Sequence, residues 1–211
     1  MPLSQRRAKL LRRLHSNKLR AREGLVLLEG VRAVNDALDA GAVASFAVVS
    51  PRLESTDEGR ALLDRFDVDV VRVSDREMAE VSDTEHPQGI LVVVEEPRAD
   101  LDQALAPGRR VLVLDALQDP GNVGTLIRSA VAFSFHTVVV LDGTTDPWGS
   151  KAVRAAAGTA FHLMVVRATT DQMLDSLRAA GLPILAASAD GSAGFEAPLG
   201  GFALVIGNEG A

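Results

Sequence analysis

The side chains best placed to do chemistry sit where a buried-type strand turns into a helix: Asp115-Ala116-Leu117-Gln118-Asp119-Pro120-Gly121-Asn122-Val123-Gly124-Thr125-Leu126-Ile127-Arg128-Ser129-Ala130. The preceding Val111-Leu112-Val113-Leu114 is an unbroken apolar run of the kind that fills a parallel strand buried on both faces. Loops at the carboxyl ends of such strands are where α/β proteins bind and react with ligands. Beyond the loop, Val123, Leu126, Ile127 and Ala130 recur at the spacing of one apolar helical face. Gly121, Gly124, Thr125 and Arg128 repeat that spacing on another face, which leaves the Arg128 guanidinium among small neighbours with room for close approach. A plainer account makes this only a good helix start, with Pro120 in the first turn, Asn122 as a cap and Arg128 solvated. A second segment shifts the balance. Phe202-Ala203-Leu204-Val205-Ile206 is another buried-type strand, and it runs into Gly207-Asn208-Glu209-Gly210, a glycine-flanked carboxylate.

Other chemistries find no residues. Cysteine is absent, which excludes disulfides, thiolate zinc sites and a cysteine nucleophile. His15, His86, His136 and His162 are far apart with no ligand spacing, so no metal is expected. No Gly-x-Gly-x-x-Gly follows a strand and no Gly-x-x-x-x-Gly-Lys-Ser/Thr occurs, which argues against dinucleotide and nucleoside triphosphate sites. No apolar run approaches the roughly 18 to 20 residues of a membrane span, so the expectation is a soluble, cytoplasmic protein.

The net charge of −6 hides an uneven distribution. Residues 1–32 hold Arg6, Arg7, Lys9, Arg12, Arg13, Lys18, Arg20, Arg22 and Arg32 against Glu23 and Glu29, a net +7, so the remainder carries −13. A basic front on an acidic body suits a protein that meets phosphates on one surface. Leu10, Leu11 and Leu14 sit among these charges at helical spacing and predict an amphipathic helix with a basic outer face.

The 211 residues divide into two α/β units. The first, 1–94, has strands at Leu25–Leu28, Ser45–Val49, Val68–Val73 and Ile90–Val94. Between them lie a helical stripe of Val31, Val34 and Leu38, a helix around Glu58–Phe66 and a short helix opened by Ser74, Asp75 and Glu77. This alternation predicts a three-layer α/β/α domain. Residues 95–110 are polar, carry two prolines and read as a linker. The second unit, 111–211, has strands at Val111–Leu114, Thr137–Leu141, Phe161–Val166, Ile184–Ala187 and Phe202–Ile206, with helices near 123–133, 149–157 and 171–180.

Asp-Pro-Gly-Asn-x-Gly-x-x-x-Arg at 119–128 and Ile-Gly-Asn-Glu-Gly at 206–210 resemble the first and second signature motifs of the SpoU (TrmH) branch of the SPOUT methyltransferases. The likeness extends over residues 110–211 in strand and helix order. Gly24-Leu25-Val26-Leu27-Leu28-Glu29-Gly30 and Pro87-Gln88-Gly89-Ile90-Leu91 resemble the SpoU substrate-binding domain, which has the fold of small RNA-binding ribosomal proteins. The resemblance implies methyl transfer from S-adenosylmethionine to a ribose 2′-hydroxyl of RNA, by a homodimer with a deep trefoil knot. It places the cofactor among strand-end loops, here Ser188, Ile206, Gly207 and Asn208, and the catalytic group at Asn122, Arg128 and Glu209. Family proposals make the arginine matching Arg128 a base; a guanidinium is not deprotonated in proteins, so bidentate phosphate contact and stabilisation of a developing alkoxide are the more physical roles. Asn122 then fixes the loop or the ribose, and Glu209 orients its neighbours. Lys151 and Arg154 resemble a family segment that faces RNA, and Arg12, Arg13, Lys18, Arg20, Arg22 and Arg32 make up the expected RNA-binding front.

By the same resemblance, an N-terminal domain of this kind implies large-subunit ribosomal RNA as the expected target. A transfer RNA enzyme, an antibiotic-resistance methylase, an inactive RNA-binding protein and an unrelated small-molecule α/β enzyme stay open. The family's third motif, a proline-bearing apolar segment leading to Ser-Leu-Asn, would follow Ala211, so the expectation is a fragment with an incomplete knot and cofactor pocket.

Overall fold

In a computed structural model, residues 3–188, 191, 198 and 200–208 are described. The basic front forms two helices, α1 (Gln5–Leu14) and α2 (Asn17–Glu23). Strand β1 (Leu25–Glu29), helix α3 (Val31–Asp39), strand β2 (Ala44–Val49), and helices α4 (Pro51–Glu54) and α5 (Asp57–Leu63) follow. Strand β3 (Val70–Arg72), helix α6 (Asp75–Val81) and strand β4 (Ile90–Glu95) close the first sheet, ordered β1-β4-β2-β3. Its strands alternate cleanly. Leu27, Phe46, Val48, Leu91 and Val93 pack under Leu11 and Leu14 of α1 and under Met78 and Val81 of α6. Val26, Leu28, Ala47, Val49, Val92 and Val94 point the other way. This is the expected three-layer unit, and Ser74 and Glu77 form the capping box that opens α6.

After helix α7 (Leu101–Ala104), the second unit runs β5 (Arg110–Asp115), α8 (Pro120–Ala132), β6 (Thr137–Leu141) and α9 (Ser150–Ala156). A 3₁₀ turn (Thr159–His162), β7 (Met164–Ala168), α10 (Thr170–Ala180), β8 (Ile184–Ala186) and β9 (Phe202–Gly207) complete it. The strand expected from Phe161 therefore starts at Met164, because Thr159 to His162 coil tightly to insert Phe161 against Trp148, ring centroids 5.0 Å apart. All five strands are parallel, in the order β7-β6-β5-β9-β8.

The two sheets share one core. The cluster on the inner face of the first sheet continues through Leu112, Leu114, Val123, Ile127, Val138, Val140, Val153 and Phe161 of the second unit. Each fully buried aliphatic side chain here is worth roughly 1.5–3 kcal/mol, so the contact is a structural interface and not a tether. One glycine at the seam permits it, and a second lets α8 and α9 approach each other within the second unit. A Cβ on Gly158, whose φ is +86°, would lie 2.3 Å from the Ala33 carbonyl of α3. One on Gly124 would lie 2.3 Å from the Ala152 carbonyl of α9. The segment 95–110 is also packed down: Ala104 and Leu105 are buried against β5, β7 and α10, and Thr137 Oγ1 donates to the Ala104 carbonyl at 2.6 Å. Its polar composition reflects one exposed side of a docked strap.

Candidate active site

Strand order in the parallel sheet reverses at β5: β6 and β7 lie on one side of it, β9 and β8 on the other. The crevice outside the carboxyl ends of strands at such a switch point is the standard ligand site of open α/β sheets. Both motifs meet there. Asp115, the last residue of β5, is the register partner of Gly207, the last of β9.

The first motif's loop is built by side-chain hydrogen bonds. Ala116 takes a left-handed φ of +53°, a strained turn for a residue with a Cβ. The loop following β6 holds it in that shape. Thr144 Oγ1 donates to the Leu114 carbonyl at 2.9 Å and accepts from Leu117 N–H at 3.3 Å, and Thr145 N–H donates to the Leu117 carbonyl at 2.8 Å. Gln118 Nε2 donates to the Gly143 carbonyl. Asp119, not Asn122, is the helix cap: its Oδ1 accepts Asn122 N–H at 2.7 Å, with Pro120 in the first turn.

Asn122 and Arg128 are both exposed, and among the described residues neither side chain has a hydrogen-bond or ion-pair partner. Gly124 leaves the ligand face expected for it, because α9 crosses α8 at that point; Thr125 and Arg128 remain open. Ser188, Ile206, Gly207 and Asn208 gather at the ends of β8 and β9, tied by Ala187 N–H donating to the Val205 carbonyl at 3.0 Å. Among the described residues, a Cβ on Gly207 would meet nothing within 4 Å, beside half-buried Ile206. An apolar wall beside open backbone donors and acceptors fits a nucleoside. Glu209 lies outside the described residues.

The basic front divides in two. Arg12, Lys18, Arg22, Arg32 and Lys151 are solvent-accessible and, among the described residues, unpaired. Three of the residues expected to contact RNA also carry ion pairs within the molecule, and of these only Arg20 is fully buried. Arg20 is 1% exposed and ion-paired to Asp146. Arg154 bridges to Asp83 at 3.3 Å and Glu29 at 3.8 Å across the two units, and Arg13 pairs with Glu23 at 2.8 Å. Charge counting cannot tell a phosphate-facing arginine from one that docks two units. The structural parts played by Asp119, Thr144 and Asp146 escape sequence reading, although Asp142-Gly143-Thr144-Thr145-Asp146 follows a buried strand just as the first motif does.

The SpoU rRNA Methylase family pattern matches residues 109–211, and the MRM3-like substrate binding domain matches residues 5–92. The chain is 36% identical, over 95% of its length and 78% of the relative's, to the 23S rRNA (guanosine(2553)-2′-O)-methyltransferase RlmP of Bacillus subtilis. It is 34% identical to the mitochondrial rRNA methyltransferase 3 of Mus musculus, over 78% of this chain and 40% of that protein. The AdoMet-bound rRNA methyltransferase from Sinorhizobium meliloti superposes with a TM-score of 0.84 at 28% identity, covering 100% of this chain and 81% of the other. This chain belongs to the SpoU rRNA methylase family. It is an RNA ribose methyltransferase whose methyl donor is S-adenosylmethionine.

Proposed function

We propose that the chain methylates one ribose 2′-hydroxyl of large-subunit ribosomal RNA in the cytoplasm, acting as a homodimer paired through the second unit. The observation that carries this reading is the meeting of the two motifs at the β5/β9 switch point, with Asn122 and Arg128 beside it and unpaired among the described residues. S-adenosylmethionine, held by Ser188, Ile206, Gly207 and Asn208, supplies an electrophilic methyl group. The chain's own residues do the rest. The exposed cations of α1 and α2 bind phosphates and hold the RNA, Asn122 fixes the ribose, and Arg128 grips the adjacent phosphate as a planar fork. Its fixed positive charge also stabilises the oxygen as the hydroxyl proton passes to solvent water. The motif resemblance gives Glu209, outside the described residues, the part of orienting Asn122, Arg128 or the cofactor edge.

Mapping 2′-O-methyl positions in ribosomal RNA from cells with and without the gene tests the target: one position should lose its methyl group. An unchanged map would refute the ribosomal assignment. Sedimentation of the purified chain should show a dimer; a monomer retaining full turnover would refute the homodimer as the active form.

A further inference from the structure

Asp146 lies outside both motifs and is 12% exposed, yet it gathers more donors than the motif residues do. Its carboxylate accepts Arg20 Nη2, Arg167 Nη2 at 2.7 Å and Trp148 N–H at 3.0 Å. Arg20 in turn donates through Nη1 to the Leu14 carbonyl at 2.8 Å and through Nη2 to Asn17 Oδ1 at 2.9 Å. One buried guanidinium therefore fixes the end of α1, the start of α2 and the loop after β6. Arg167, on β7, continues the network to Glu96 at 2.8 Å. Burial works against the Arg167 charge, but Glu96 and Asp146 outweigh it and hold the guanidinium above its ordinary value.

The same loop grips the first motif from its other side, through Gly143, Thr144 and Thr145. His15, Asn17, Pro120, Thr145, Asp146 and Lys151 accordingly line one cleft between the basic helices and the start of α8. Buried ion pairs contribute little net stability compared with apolar packing of the same volume; what they add is directional geometry. Geometry is what an in-line transfer needs, since a misplacement of about 1 Å can cost roughly 10²-fold in rate.

We propose that Arg20 and Asp146 are positioning residues for methyl transfer: their ion pair sets the RNA-holding helices α1 and α2 at a fixed distance from the loop that leads into α8 and Asn122. The inference rests on the functional reading above. Arg20→Lys keeps the charge but loses the fork that spans Leu14, Asn17 and Asp146. Arg167→Gln, at a side chain 47% exposed, removes one of the two cations on Asp146 and leaves Arg20 on that carboxylate, while also taking the cation from Glu96. The enzyme should lose about tenfold or more in kcat in the first variant and several-fold in the second. Its dissociation constants for ribosomal RNA and S-adenosylmethionine should change less than about twofold.

Unchanged kcat in Arg167→Gln and in folded Arg20→Lys would overturn the proposal. So would RNA and cofactor affinities that fall in parallel with melting temperature, the signature of general loosening. Should Arg20→Lys fail to fold, Arg167→Gln decides. Arg128→Lys serves as the control: if it too keeps full turnover, the assignment of chemistry to α8 fails, whereas its inactivity beside an active Arg20→Lys sinks the positioning role alone.

Discussion

Asp119 Oδ1 accepts the backbone N–H of Asn122 at 2.7 Å, so the cap of α8 is supplied three residues upstream and the Asn122 side-chain amide has no partner among the described residues. The two residues should therefore separate in mutagenesis. Asp119→Ala removes an N-cap and should cost about 0.5–2 kcal/mol of stability. Asn122→Ala should change stability by no more than about 0.5 kcal/mol, as surface substitutions do, yet lower methyl transfer at least tenfold. Urea unfolding beside single-turnover methylation measures both, and a large stability loss in Asn122→Ala would return that residue to a structural role.

Arg128 is exposed on the same helix, further along, with no partner among the described residues. Removing its fork should not disturb packing. Arg128→Lys is expected to melt with the parent protein and to lose about 10²-fold in kcat, because an ammonium cannot reproduce two parallel hydrogen bonds to one phosphate. Near-normal turnover would take Arg128 out of the mechanism.

The division of the cations gives a salt test. Replacing Arg12, Lys18 and Arg22 by glutamine should weaken RNA binding and flatten the dependence of log K on log salt by about 0.7–0.9 for each phosphate left without its cation. Arg154→Gln, which breaks bridges to Asp83 and Glu29, should lower the melting temperature and leave the slope nearly intact. Equal slopes in the triple variant and the parent would mean that α1 and α2 do not carry the RNA.

Strands of the second unit were legible because Val111 to Leu114 and Thr137 to Leu141 are continuous apolar runs bounded by polar loops. Both motifs were legible for the same reason: each follows such a run. The shared core was not, since nothing in the sequence says that Leu28 and Leu112 contribute to one cluster or that Phe161 belongs to a tight turn under Trp148. The fate of Arg20 was also hidden. It sits in a run of charged residues, and its partner Asp146 lies 126 residues away.

A pH dependence follows from the capping box of α6. Glu77 is held below its ordinary value of 4.5, first by the Ser74 backbone N–H and then by the Ser74 hydroxyl, both of which favour the carboxylate. Its folded pKa thus lies below its unfolded one. The contribution is complete at neutral pH, where both states are ionised, and is lost as pH falls through the folded value. Glu77→Gln can still accept the N–H but has no charge to lose. The difference in melting temperature between the two proteins should therefore be largest near neutrality and shrink in acid; a constant difference would mean that charge has no part in the cap.

The packing of the two units against each other has its own test at Gly158. Its φ of +86° is one that residues with a Cβ rarely adopt, and the added carbon would sit 2.3 Å from the Ala33 carbonyl. Either α3 or the turn at Thr159 must then move, which disturbs Phe161 and Trp148 in the shared core. Left-handed strain alone costs roughly 1–2 kcal/mol, and the backbone clash adds to it, so Gly158→Ala should lose at least about 2 kcal/mol. Gly181→Ala is the comparison, since its φ of +65° carries similar strain while a Cβ there meets nothing within 4 Å. It should cost only the strain. Equal losses by urea unfolding in the two variants would show that the units do not pack through Gly158 in solution.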